Sequence, residues 1–254
     1  MIKKSSLKKR VIPVILIDKF QVVTSKNFSD YRTFGNIEQT IELFNRRNVD
    51  EIIILDITSS KNNYSINFDI INFVSKNTTM PFCFGGGIKN LFEIEKCLKL
   101  GCDKVSLNTI IGLDKKFLNK AINLFGSQAI VASIDFFKKN GDFFLYNHTS
   151  SSKTSKNLFE HIKYVAEQGC GEIVLTNIDK DGKLNGYDLS VLKEFRHQIN
   201  CPIILNGGCG SPNDMKDSLI AGADACGAGS MFYYTKYSYR DIKDYLKEND
   251  IAVR

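Results

Sequence analysis

The chain repeats itself, and the repeat constrains its fold more than any other feature. Val49-Asp50-Glu51-Ile52-Ile53-Ile54-Leu55-Asp56-Ile57 is echoed by Cys170-Gly171-Glu172-Ile173-Val174-Leu175-Thr176-Asn177-Ile178. Pro81-Phe82-Cys83-Phe84-Gly85-Gly86-Gly87 is echoed by Pro202-Ile203-Ile204-Leu205-Asn206-Gly207-Gly208, and Leu100-Gly101-Cys102-Asp103-Lys104 by Ala221-Gly222-Ala223-Asp224-Ala225. By subtraction of their numbers, the members of every pair stand 121 residues apart. Three matches in one register mark a duplicated half, which outranks local propensity when a fold is read. Each half carries four short apolar runs, each followed by a segment of helical period. Strands are expected at 11–16, 52–56, 82–84, 104–107, 129–134, 173–176, 203–205 and 225–228. Helices are expected near 37–46, 68–75, 90–98, 114–124, 157–167, 189–197, 212–220 and 241–247. Ser211-Pro212 is a good start for one of them: a capping hydroxyl, then a residue whose missing N–H costs nothing at the first helical position.

The runs are apolar throughout, so both faces of each strand are buried and the sheet is parallel. Eight such units without a Pro/Ser/Gly-rich linker close most naturally into a (β/α)8 TIM barrel of the α/β class. It would be one domain over 1–254, with half-barrels of about 1–125 and 126–254. A doubly wound sheet is the alternative, but its halves do not usually repeat their glycine loops in this way. Two stretches exceed the usual loop after a strand, 18–35 and 136–155. The second holds Asn140-Gly141 between Phe-rich flanks and reads as a hairpin. Both lie at the catalytic end, where covers over a substrate are expected.

In such a barrel, anions bind to backbone N–H groups at glycine turns and helix N-termini beyond the strand ends. Gly85-Gly86-Gly87, Asn108-Thr109, Gly207-Gly208 and Gly229-Ser230 supply that chemistry after the third, fourth, seventh and eighth strands. One Gly-Gly alone serves a tight turn equally well. Two sets related by the repeat predict two phosphate sites on opposite sides of the mouth, suited to a ligand with a phosphate at each end. Asp135 closes the fifth strand and is the best general acid/base candidate. Asp56 ends the second strand as either an orienting partner or a loop cap, and Thr176 is a further auxiliary candidate. Asp181, beside Gly182, belongs with the phosphate loop rather than with proton transfer. His161 and His197 fall on helices and are read as surface residues, while His148 in the long loop is a weaker candidate for reaching substrate. At the opposite end, Arg10, Glu51, Lys104 and Glu172 stand at strand entrances. Spacing alone leaves them as either an ion-pair ring or routine solvated charge.

The net charge of +6 is scattered rather than gathered into a stripe, which argues against nucleic acid and for a small anionic ligand. The seven cysteines form no CxxC pair. They are read as reduced, packed thiols in a cytoplasmic protein, with no metal site or cofactor expected. Lys3, Lys4, Lys8, Lys9 and Arg10 before an apolar run look like the start of a signal peptide. However, Asp18 ends the run and no small-residue cleavage site follows, so 11–16 is read as a strand. No run approaches the roughly 18 apolar residues of a membrane span.

Over essentially the whole chain these residues resemble the cyclase subunit of imidazole glycerol phosphate synthase. The resemblance is carried by Lys9-Arg10-Val11-Ile12, Val49-Asp50-Glu51 with Leu55-Asp56-Ile57, and Gly85-Gly86-Gly87-Ile88. It continues through Lys104-Val105-Ser106-Leu107-Asn108-Thr109, Thr176-Asn177-Ile178-Asp179-Lys180-Asp181-Gly182, Gly186-Tyr187-Asp188 and Ala221-Gly222-Ala223-Asp224-Ala225. The related isomerase of the histidine pathway matches less well. The resemblance implies a glutaminase partner, in a heterodimer, that releases ammonia. It further implies passage of that ammonia through the barrel to a bisphosphorylated ribulose-type aminoimidazole carboxamide, with lyase and cyclase chemistry there. By the same resemblance Arg10, Glu51, Lys104 and Glu172 match the ammonia gate. Gly87, Asn108 and Thr109 match one phosphate site; Asp181, Gly182, Gly208, Gly229 and Ser230 match the other. Asp135 matches one catalytic aspartate.

The second catalytic aspartate of the family, at the end of the first strand, does not carry over: its register holds Leu16, with Asp18 two residues on. The family's loop lysine is replaced by Thr24, with Lys26 displaced nearby, and Asn206 replaces a small hydroxyl residue. Together with the run 22–34 and Asn147-His148-Thr149, this resembles a divergent branch tied to surface polysaccharide and flagellin sugars. That branch implies ammonia supply to a separate sugar amidotransferase for acetamidino groups, as in O-antigen biosynthesis. The alternatives are a histidine-pathway cyclase–lyase, with Asp18 or water in place of the lost base, and a stand-alone phosphosugar isomerase, which has no use for a charged gate.

Overall fold

Side chains alternate along a strand, so a strand that is apolar at every position must bury both of its faces. In the computed structural model, which describes residues 8–62, 65–147 and 152–254, both faces are covered. Ile12, Val14, Ile53, Cys83, Val131, Val174, Ile204 and Ala225 meet inside a barrel as one cluster. Their neighbours in sequence, such as Val11, Ile15, Ile52, Ile54, Phe84 and Ile173, pack outward against the helices in a second, larger cluster.

The strands are β1 (Arg10–Asp18), β2 (Gln21–Lys26), β3 (Ser29–Asn36), β4 (Ile52–Asp56), β5 (Phe82–Gly85) and β6 (Lys104–Leu107). They continue as β7 (Ile130–Lys139), β8 (Asp142–Asn147), β9 (Ser152–Asn157), β10 (Glu172–Asn177), β11 (Ile203–Asn206) and β12 (Ala225–Ala228). Eight of them pair in parallel in the ring β1-β4-β5-β6-β7-β10-β11-β12, and β12 closes back on β1. Helices surround it, so the expected (β/α)8 barrel is the observed one. The helices Ile37–Arg46 and Pro212–Ile220 fall where the periodicity places them. Ser211 caps the second of these through the Asp214 N–H, and the Asp214 carboxylate reaches back to the Ser211 N–H at 2.8 Å.

The duplication is visible in the hydrogen bonds. The Phe82 N–H donates to the Asp103 carboxylate at 3.0 Å, and 121 residues later the Ile203 N–H donates to Asp224 at 3.0 Å. Gly86, at φ +110°, lies so close to the end of β4 that a Cβ there would stand 2.1 Å from the Asp56 carbonyl oxygen. Its repeat mate Gly207, at φ +86°, is pressed in the same way against the Asn177 carbonyl, at 2.7 Å. These glycines are demanded by sterics in both halves.

One expectation needs correction. The stretch 18–35 is not an irregular loop: β1 runs on past the barrel to Asp18 and turns back as β2 and β3, both antiparallel. The β2–β3 turn places Asn27 and Phe28 at φ +52° and +56°. Short helices also follow β4, β6 and β12, at Ile57–Asn62, Thr109–Leu113 and Met231–Tyr234. The stretch after β7 does form the expected hairpin, with Lys139 opposite Asp142 across Asn140-Gly141. His148 lies outside the described residues.

Candidate functional site

The parity of each strand decides what reaches the two ends of the barrel. On the face of β1 that carries Ile12 and Val14 inward, Arg10 stands at the floor and Leu16 at the mouth. On β10 the inward set is Glu172, Val174 and Thr176, and on β7 it is Val131, Ser133 and Asp135.

At the floor, two cations and two carboxylates alternate. Arg10 pairs with Glu51 at 2.7 Å and with Glu172, while Lys104 pairs with Glu51 at 2.7 Å and with Glu172 at 2.9 Å. The alternative of solvated charge is set aside by burial: the Glu51 side chain is only 4% exposed. Burial alone would lower the pKa of Arg10 and Lys104, but the facing carboxylates outweigh it and hold both above their ordinary values. Burial likewise works to raise Glu172, and the two cations override it and lower its pKa. The ring is closed, and the apolar cluster lies directly above it.

The mouth is polar on one side and apolar on the other. Asp135 is 6% exposed and accepts from the Asn108 amide at 2.6 Å. Thr176 is its neighbour in register on β10 and accepts from the Asn206 amide at 3.2 Å. Across the opening stands half-buried Leu16, beside Leu55 in register. Asp18, beyond it, takes the Thr58 hydroxyl at 2.6 Å. Asp56 faces away from the interior: its carboxylate accepts from the Thr58 and Ser59 N–H groups at 2.9 and 3.1 Å and from the Ser59 hydroxyl at 2.8 Å. That is the geometry of a loop cap.

Asp181, Gly182, Gly208, Gly229 and Ser230 come together around one cleft, with Asn206 and Gly207 completing its wall. Gly87, Asn108 and Thr109 lie after β5 and β6, half the ring away. Gly87, at φ +75°, is backed by Ser59, and Thr109 opens a short helix. Of the histidines, His197 is exposed, and His161 is packed within the helix Leu158–Glu167, where burial lowers its pKa.

The residues that sequence reasoning missed come from the β2–β3 hairpin, which lies across the mouth. The Ser25 hydroxyl donates to the Asp181 carboxylate at 2.6 Å, and the Asn27 N–H donates to the Asp181 carbonyl at 3.1 Å. The hydroxyls of Thr24 and Tyr234 bond at 2.8 Å, and Phe28 sets its ring edge against Tyr146 at 5.9 Å. The enclosure raises Asp181 to about 6, through burial first and then the charge of Asp135, against the Ser25 hydrogen bond. Tyr31 is pushed up to about 12 by burial and by Asp181. No local signal announces this, because it depends on where the hairpin lands.

Fold and site together define a two-half (β/α)8 barrel with an ion-paired floor and glycine-lined loops at its mouth. A family model described as "Histidine biosynthesis protein" matches residues 10–238. The chain is 42% identical over 248 residues to the putative imidazole glycerol phosphate synthase subunit hisF2 of Campylobacter jejuni, spanning 98% of this chain and 99% of that protein. It is 34% identical to imidazole glycerol phosphate synthase subunit HisF of Dehalococcoides mccartyi, over 98% of both chains. It is also 34% identical to the subunit of that name from Helicobacter hepaticus, over 98% of this chain and 99% of the other. The chain therefore belongs to the HisF family of imidazole glycerol phosphate synthase subunits.

Proposed function

We propose that the chain is the ammonia-accepting synthase subunit of a cytoplasmic, glutamine-dependent amidotransferase of the imidazole glycerol phosphate synthase kind. A glutaminase docks at the floor as its partner in a heterodimer. The observation that carries this reading is the ring of Arg10, Glu51, Lys104 and Glu172. Anion binding at the mouth has no use for it. A small neutral amine passes when one of these side chains swings aside, then follows the axis between apolar walls to the mouth.

At the mouth, the loops after β5 and β6 hold one phosphate of a bisphosphorylated ligand, and the cleft of Asp181, Gly182, Gly208, Gly229 and Ser230 holds the other. Asp135 faces the space between them. Asp18, which accepts from the Thr58 hydroxyl just beyond the end of the barrel strand, or water serves in place of the lost base where the first strand offers only Leu16. The relatives' names support the synthase-subunit reading alone.

Leu16 favours a second reading, in which the barrel conducts ammonia to a separate sugar amidotransferase and its own ring-forming chemistry is weak. Turnover of the bisphosphorylated aminoimidazole carboxamide with ammonium salt separates the two. Ordinary rates in the wild type, lost by about 10²-fold or more in Asp135→Asn, support the first. Turnover near zero that rises in Leu16→Asp moves the chain to the second.

A further inference from the structure

Beside the phosphate cleft, under the β2–β3 hairpin, lies a larger cavity of about 230 Å³. The two hollows share Gly182, Leu184 and Ser230. The cleft offers about 20 Å³, room for one small anion. The cavity is lined by Lys26 and Arg32 from the hairpin and by Lys183 from the loop after β10. No ion pair joins any of these three cations to a carboxylate among the described residues, and Asp30 is the one acid in the cavity lining. Thr24 and Ser25, both buried, also line it. Unneutralised cations gathered on a concave surface of this size attract anionic ligands, and the backbone N–H groups of the glycine cleft already provide for one phosphate.

We infer that the cavity is a second anionic subsite next to the cleft, so that this end of the mouth takes a diphosphate-type group rather than a lone phosphate. One phosphoryl group seats on Gly182, Gly208 and Ser230, and the adjoining one reaches Lys26, Arg32 and Lys183. Nothing in the reaction proposed above requires it. The inference rests on that reading only for the cleft itself, so the two are tested separately.

The test is calorimetric titration with inorganic orthophosphate and inorganic pyrophosphate in metal-free buffer, on the wild type and on Arg32→Gln/Lys183→Gln. Both altered side chains are exposed, and orthophosphate binding itself reports an intact cleft. Pyrophosphate is expected to bind about tenfold tighter than orthophosphate, from two or three partly screened charge contacts. The double variant is expected to lose that advantage while keeping its affinity for orthophosphate. Equal affinity of the wild type for the two anions overturns the subsite. So does a proportional loss of both in the variant, since the cations would then serve the single phosphate. Failure of orthophosphate to bind at all counts against the phosphate cleft, and with it the reading of the mouth above.

Discussion

Asp181 sits where two demands conflict: it lines the glycine-walled cleft, yet it is enclosed by the hairpin and near Asp135. Raised to about 6 from its ordinary value of 3.8, its ionised form costs the fold stability. The cost is absent below about pH 4, grows as pH rises through the unfolded and then the folded value, and is complete above about pH 6. Asp181→Asn is therefore expected to raise the unfolding free energy at pH 7.5, measured by urea titration, by about 1–2 kcal/mol after discounting for solvent. Below pH 4 the two proteins should match. A variant no more stable at pH 7.5 than at pH 4, relative to wild type, counts against the raised value. Asp135 was legible in the sequence as the acid that closes an apolar strand, and Leu16 through the family resemblance, which expects an aspartate in its register. The burial of Asp181 was not, because Ser25, in its enclosing wall, is 156 residues away in the chain.

At the scale of elements, the eight barrel strands and their eight main helices lie within a few residues of where the periodicity put them. The hairpin of β2 and β3 was hidden. Asn140-Gly141 announces its turn, since both residues tolerate positive φ, whereas Asn27-Phe28 adopts the same geometry with a residue that rarely does so. What holds the hairpin down is a handful of polar contacts, among them Thr24 to Tyr234 and Ser25 to Asp181. Thr24→Val removes that bond at about 1 kcal/mol. Exchange of the Asn27 amide, whose acceptor is the Asp181 carbonyl, should then quicken by about fivefold, while core strand amides stay unchanged. Unaltered exchange at Asn27 would show that the hairpin is fastened elsewhere.

For the whole molecule, the register of 121 residues links the halves closely enough that Gly86 and Gly207, or Asp103 and Asp224, do the same work twice. The floor departs from that symmetry. Glu51 and Glu172 are repeat mates, but the repeat position of Lys104 is Ala225 and that of Arg10 is Val131. That asymmetry was readable from residue numbers, but the closure of the ring required the tilt and register of eight strands. Glu51→Gln leaves two buried cations with one carboxylate and should destabilise the fold by about 3 kcal/mol, read as a lowered thermal midpoint. No change in the midpoint would mean the ring contributes nothing to folding. Because every member of the ring is held by two neighbours of opposite sign, releasing one breaks two bonds together and strands an unmatched charge. If the base of the barrel serves as the proposed gate, it is a two-position switch, shut or wholly unlatched, rather than a valve with a graded aperture.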